Sequence, residues 1–167
     1  LFLHPDIERR EPVRVLVPKV DEARCNGCGV CGEVCAFNAI AVVGSTVLVF
    51  PELCHSCGAC ALLCPQKAIR EEERETGVLE HGMVAPPRRP VFPLVTGVLA
   101  VGEAMAVPTT KATLAAAADD SVDVVLIDAP PGTSCPVIES VRGSDLVVLV
   151  TEPTPFGLHD LELAVEM

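Results

Sequence analysis

Apolar and polar positions alternate over Val13-Arg-Val-Leu-Val-Pro18, which predicts one strand at the end of a proline-punctuated opening segment, 1–20. Residues 40–50, Ile40-Ala-Val-Val-Gly44-Ser45-Thr-Val-Leu-Val-Phe50, predict a hairpin with Gly-Ser at its turn. The pattern then breaks. Residues 73–91 read as a linker punctuated by Pro86-Pro87-Arg88-Arg89-Pro90. The run Glu71-Glu72-Glu73-Arg74-Glu75, which leads into it, reads as a solvated exit. Beyond the linker, Leu94–Ala100 is strand-like, and Thr109–Ala118 is an alanine-rich helix ended by Asp119-Asp120. Val122–Ile127 is a buried-type strand ending in Asp128. Cys135–Arg142 is a helix stopped by Gly143, Leu146–Val150 is a second buried-type strand, and a last helix runs from Pro155. Alternation of strands and helices over 92–167 predicts a parallel sheet covered by helices.

Composition supports a core without aromatic bulk. Half of the 167 residues are hydrophobic (50%), yet aromatics make up 3%, with no Trp or Tyr. The core must therefore come from Val, Leu, Ile and Ala, as in buried parallel sheets. No apolar run is long enough to span a bilayer. No charged segment followed by an apolar stretch opens the chain, so the expectation is a cytoplasmic protein. The net charge of −11 argues against nucleic acid as a partner and fits either a basic protein partner or solubility.

Cysteine usage changes the picture most. Eight of the nine cysteines fall into two copies of one spacing, with a period of 29 from Cys25 to Cys54. The first is Cys25-Asn-Gly-Cys28-Gly-Val-Cys31-Gly-Glu-Val-Cys35, and the second is Cys54-His-Ser-Cys57-Gly-Ala-Cys60-Ala-Leu-Leu-Cys64-Pro65. Each copy carries a loop, a short helix and an Ala-Ile strand, Asn38-Ala39-Ile40 or Lys67-Ala68-Ile69, which defines a domain over 21–72. The run resembles that of a bacterial ferredoxin with two [4Fe–4S] clusters. Three cysteines at two-residue gaps wrap three irons of one cube, and the fourth, a helical turn on, reaches the other cube. The expected ligands are Cys25, Cys28, Cys31 and Cys64 for cluster I, and Cys54, Cys57, Cys60 and Cys35 for cluster II. Glycines 27, 29, 32 and 58 suit loops whose backbone approaches an inorganic core. Zinc sites usually pair two knuckles instead of spacing three cysteines evenly, a disulfide framework expects a secreted chain, and core cysteines would not repeat in register. Two oxidised cubes with their thiolates add about −4 to the chain's charge. The basic partner would then be a redox partner.

A second site lies at the end of Val122-Asp-Val-Val-Leu-Ile-Asp128-Ala-Pro-Pro-Gly132-Thr133. An Asp after a buried strand is often a helix cap or turn residue. It is also the Walker B arrangement, which holds Mg2+ beside a nucleotide's phosphates at the carboxyl edge of a sheet. Residues 122–133 resemble the switch II segment of the MinD/ParA/Mrp class of P-loop ATPases. Together with the cysteine runs, Asp128-Ala-Pro-Pro-Gly-Thr-Ser-Cys-Pro-Val-Ile-Glu139 and Val150-Thr-Glu-Pro-Thr-Pro-Phe-Gly-Leu-His-Asp160, the chain resembles members of that superfamily that carry an inserted two-cluster ferredoxin domain. The resemblance implies an α/β parallel-sheet P-loop ATPase fold around an α+β ferredoxin insert. It also implies Mg–ATP held near Asp128, Pro131, Gly132 and Thr133, and a homodimer across the nucleotide. The 167 residues contain no Gly-Lys-Gly-Gly-x-Gly-Lys-Thr loop, so both phosphate-binding lysines are absent and the chain alone is expected not to hydrolyse ATP. The expectation is a fragment whose phosphate loop precedes residue 1. The first run ends Cys35-Ala36 where simple ferredoxins have Cys-Pro, which leaves ligation unaffected.

Four features carry less. Cys135 reads as a small buried hydrophobe sooner than as a reactive thiol. His55, between two ligands, faces solvent or tunes cluster II by hydrogen bonding. His159 and Asp160 read as capping or surface residues of the last helix. Arg88-Arg89 solvate the linker or dock an acidic partner. Three functions use the same cysteines: electron transfer or redox sensing coupled to an ATPase, simple electron carriage, and cluster assembly or transfer.

Overall fold

Strand β1 (Asp6–Val20) and strand β4 (Ile69–Val84) run side by side for almost their whole lengths in the computed structural model, which describes residues 3–87, 90–119 and 121–167. Between them the chain forms helix α1 (Val30–Glu33), the hairpin β2 (Ile40–Val43) and β3 (Thr46–Val49), and helix α2 (Ala59–Leu63). After β4 come β5 (Phe92–Leu99), α3 (Val107–Ala117), α4 (Cys135–Val141) and α5 (Pro155–Glu166).

Alternation drives β1. Val13, Val15 and Val17 turn inward while Arg14 and Leu16 face out, as the period of a half-buried strand requires. Val15 and Val17 pack against Ala39 and Cys54, with Cys35 at the edge, so this strand is the floor on which the cysteine-bearing module sits. The β2–β3 hairpin forms with Gly44-Ser45 at its turn, as expected. Helices α3, α4 and α5 also form close to their expected places.

Two expectations need correction. Residues 73–84, expected to be linker, belong to β4. Acidic residues of β4 face basic residues of β1: Arg14 pairs with Glu73 at 3.4 Å, Lys19 with Glu72 at 2.9 Å and Arg10 with Glu80 at 2.7 Å. Each such exposed pair contributes about 0.2–1 kcal/mol at most, so the hydrogen-bonded ladder is the main support. The second correction concerns the parallel sheet. Every strand pairing among the described residues is antiparallel, in the order β1-β4-β5 with β2-β3 apart. The segment expected as a strand near Leu94–Ala100 is β5, antiparallel to β4. Its connection to Val84 is shorter than the dozen or so residues a parallel crossover needs. Val122–Ile127 and Leu146–Val150 have no ladder partner among the described residues, and Leu126 and Val150 are 91% and 92% exposed. Such strands need neighbours on both edges and helices on both faces, and β1, β4 and β5 are engaged with one another. Arg88, Arg89 and Asp120 lie outside the described residues.

A bulge divides the long ribbon. Val13 faces Gly77 and Arg14 faces Glu75, which leaves Thr76 as the extra residue. Thr76 is fully buried, its Oγ1 donates to the Val13 carbonyl at 3.3 Å, and its carbonyl accepts from Ala100 N at 3.0 Å. Beside it, Arg74 Nη1 donates to Glu103 Oε2 at 2.7 Å, and Met105 N donates to Glu103 Oε1 at 2.9 Å. Burial pushes the Glu103 carboxyl up, but the Arg74 hydrogen bond, the Met105 amide and the Arg74 charge outweigh it, holding the group below its ordinary value of 4.5. A depressed carboxyl contributes stability that is present above its unfolded value and is lost as pH falls through the folded one. The loss therefore falls in the window below pH 4.5. Because the Glu103 side chain is 2% exposed and that of Arg74 20%, Glu103→Ala strands a largely buried guanidinium. We expect it to cost about 3 kcal/mol at neutral pH. Anaerobic urea unfolding reads this directly, and an unmoved midpoint would mean that the pair contributes nothing net.

Candidate iron–sulfur site

Each cysteine run folds into the same small device. In the first, Gly29 caps α1 in the left-handed region at φ 86°, and in the second Gly58 caps α2 at φ 72°. After each helix a residue again takes positive φ, Asn38 at 53° and Lys67 at 49°. The amide one residue later turns back onto the last cysteine: Ala39 N donates to Cys35 Sγ at 3.3 Å, and Ala68 N to Cys64 Sγ at 3.3 Å. The 29-residue repeat is therefore repeated in backbone conformation as well as in residue type.

Two cavities result. Cys25, Cys28, Cys31 and Cys64 line one, with Val20 and Ile69 from the long strands. Cys54, Cys57, Cys60 and Cys35 line the other, with Leu16, Pro18 and Ile40. The fourth cysteine of each run thus lies beside the first three of the other run. All nine cysteines are unbridged. Cys31, Cys54 and Cys64 are buried, whereas Cys28 and Cys57 are exposed, so each cavity has an outer edge.

The donor set fits a cubane cluster. Burial pushes the Cys31 thiol up, and the neighbouring Cys25 and Cys28 add to this against the lowering effect of backbone amides. Burial likewise raises Cys60, with Cys54 and Cys57 adding. Thiols gathered this way resist ionisation unless cationic iron is present to hold the thiolates. Amide-to-sulfur bonds such as Ser56 N to Cys54 Sγ, at 3.4 Å, stabilise the ionised form. Among the described residues, no three His, Cys, Asp or Glu side chains converge at the spacing of a single metal ion. The thiols are spread around cavities.

Several lining residues escaped the reading of the sequence. Phe37 stacks on His55, with ring centroids 3.7 Å apart and planes 9° from parallel. His55 is exposed, as one of its two expected roles requires. Glu71, expected to be simply solvated, lines the cavity of Cys54, Cys57 and Cys60. Ser56 lines it too. Laying the two runs over one another would have revealed Ser56, because its counterpart is Gly27.

The second expected site is not built the same way. Asp128, Pro131, Gly132 and Thr133 are exposed, and neither cavity includes them. Gly132 sits at φ 92° in its turn. Cys135, expected to be buried, is exposed at the first position of α4, whose inward residues are Val137 and Ser140. His159 and Asp160 are exposed, and the cap of α5 is instead Thr154, whose Oγ1 accepts from Gly157 N at 3.1 Å.

Residues 18–41 and 47–70 each match the 4Fe-4S binding domain family. The chain is thus an iron–sulfur protein with a duplicated 4Fe–4S cluster-binding module. It is similar to the uncharacterized protein MJ0578 of Methanocaldococcus jannaschii, 33% identical over 157 residues that cover 93% of this chain and 53% of that one. A second protein of that organism, MJ0579, is 36% identical over 45 residues, 27% of this chain and 17% of its own length. The chain spans about half the length of MJ0578. No helix among the described residues is long and apolar enough to cross a membrane.

Proposed function

We propose that the chain carries electrons through two [4Fe–4S] clusters. Cys25, Cys28, Cys31 and Cys64 would hold one cluster, and Cys54, Cys57, Cys60 and Cys35 the other. The observation that carries this reading is the exchange of fourth cysteines between the two cavities, which ties both sites into one fold. A bound cubane supplies a site for a single electron. The chain's own residues do the rest. Buried Cys31, Cys54 and Cys64 anchor each site from inside, while exposed Cys28 and Cys57 form the edges where a partner can approach within electron-transfer reach. The net charge of −11 supports a basic redox partner.

Retention of the clusters separates electron carriage from cluster delivery. Anaerobic protein taken through repeated dithionite reduction and reoxidation should keep its iron and give none to an apo-acceptor. Transfer of iron and sulfide to the acceptor at a rate comparable with reduction would instead assign an assembly role.

The proposal extends to residues 122–160. Their resemblance to the switch II region of MinD/ParA/Mrp ATPases supports a role for Asp128, Pro131, Gly132 and Thr133 near Mg–ATP. A phosphate-binding loop from outside these residues would be required. In that assembly, a cytoplasmic homodimer, ATP turnover would move the switch segment and with it the cluster module. The observation that supports this reading is the Asp128–Glu139 string. The chain alone should show no tight ATP binding in equilibrium dialysis. In a polypeptide that includes the loop, Asp128→Asn should abolish ATP hydrolysis and leave iron content unchanged. Full hydrolysis by that variant would remove the nucleotide reading and leave the electron carrier.

A further inference from the structure

The two cluster loops are alike in backbone but differ at one position with a chemical consequence. Gly27 of the first loop has φ 68°, and Ser56 of the second has φ 55°. At 27 only glycine fits, because a Cβ would lie 2.7 Å from the Ser45 Cα. At 56 no such backbone stands in the way, and a serine occupies a left-handed conformation that side chains rarely adopt. Its Oγ is buried, yet it has no hydrogen-bond partner among the described residues. A buried hydroxyl left unpaired is costly, and here the cost comes on top of an unfavourable backbone conformation. Ser56 also lines the cavity of Cys54, Cys57 and Cys60, and its own amide already donates to Cys54 Sγ at 3.4 Å.

We infer that the Ser56 hydroxyl is a hydrogen-bond donor to a sulfur of cluster II, a positioning and tuning group with no counterpart at cluster I. The inference rests on the two-cluster reading above. Reduction puts an extra electron's charge largely on the cluster and its sulfurs, so a donor aimed at a sulfur stabilises the reduced form more than the oxidised one. Ser56 therefore makes cluster II easier to reduce than it would be with glycine, the residue at the matching position of cluster I. The Glu71 carboxylate lines the same cavity and acts in the opposite direction. The comparison that isolates Ser56 is thus cluster II with and without the hydroxyl, not cluster II against cluster I.

The test uses Ser56→Ala and Ser56→Gly in the whole chain, loaded anaerobically, with dithionite as electron donor. Ser56→Ala removes the oxygen alone, and Ser56→Gly also relieves the backbone. Both should retain the iron and sulfide of the parent. In both, one cluster should become about tenfold harder to reduce, which is about 59 mV for one electron, while the other stays put. Proton ENDOR after exchange into D2O should show one exchangeable coupling to that cluster in the parent and none in either variant. Unchanged potentials, equal shifts at both clusters, a retained coupling, or loss of iron from both variants would overturn the inference. A parent without iron and sulfide for two clusters would instead overturn the two-cluster reading itself.

Discussion

Cys60→Ala should lower the iron of anaerobically purified protein from about eight to about four per chain, while Cys135→Ala should leave it unchanged. Cys60 is the third cysteine of its run, on α2, and lines the cavity shared by Cys54, Cys57 and Cys35. Removing it takes one corner from cluster II. Cluster I keeps all of its own thiols, but its fourth, Cys64, follows directly on α2. Disorder in the second loop can therefore reach the first cluster, and iron below about four would still fit the exchange of cysteines between cavities. Cys135 lies exposed on α4 and lines neither cavity. Equal iron loss in the two variants, or full retention in Cys60→Ala, would refute the ligand assignment.

Removing the clusters should unfold the module and spare the strands outside it. Stripping iron with a chelator under reducing conditions should abolish amide protection over 21–68 and leave protection where β1, β4 and β5 pair. Helices α1 and α2 have four and five residues, far too few to persist alone in water. The hydrophobic support between the module and β1 is small, being Val15, Val17, Ala39 and Cys54 with Cys35 at the edge. Two of those five are cysteines expected to bind iron, so iron–thiolate bonds supply what the core lacks. The paired part of the long ribbon is different. Val13 and Leu79 are buried there, the Thr76 bulge is locked to Val13 and Ala100, and α3 covers the sheet. Hydrogen exchange followed by mass spectrometry reads both regions at once. Uniform loss of protection would make the chain one cooperative unit, and uniform retention would make the clusters irrelevant to folding.

The cysteine module was legible because its chemistry dictates spacing. A duplicated 4Fe–4S binding module constrains where its cysteines fall, and the run repeats at a period of 29 with a glycine, Gly29 or Gly58, after the second cysteine of each copy. Helices α3 and α4 were legible from their stops, as with Gly143 after α4. Strand β4 beyond Ile69 was not. Residues 70–75 are charged on both faces, and they make sense as strand only opposite Arg14 and Lys19, a register that the sequence does not reveal. The parallel sheet was misread for a related reason. Val122–Ile127 and Leu146–Val150 have the composition of central strands, but composition does not supply a hydrogen-bonding neighbour. The mismatch of Ser56 with Gly27 was open to the sequence, but what sets Ser56 apart shows only once its oxygen is found buried and unpaired.

Iron, acid-labile sulfide and zinc per chain, with EPR after dithionite reduction, decide whether the cysteine module holds two [4Fe–4S] clusters. Two bound clusters give about eight iron and about eight sulfide, negligible zinc, and the spectrum of two interacting reduced clusters. Zinc bound without sulfide would contradict the two-cluster reading, making the cysteine module a structural metal domain with no redox role.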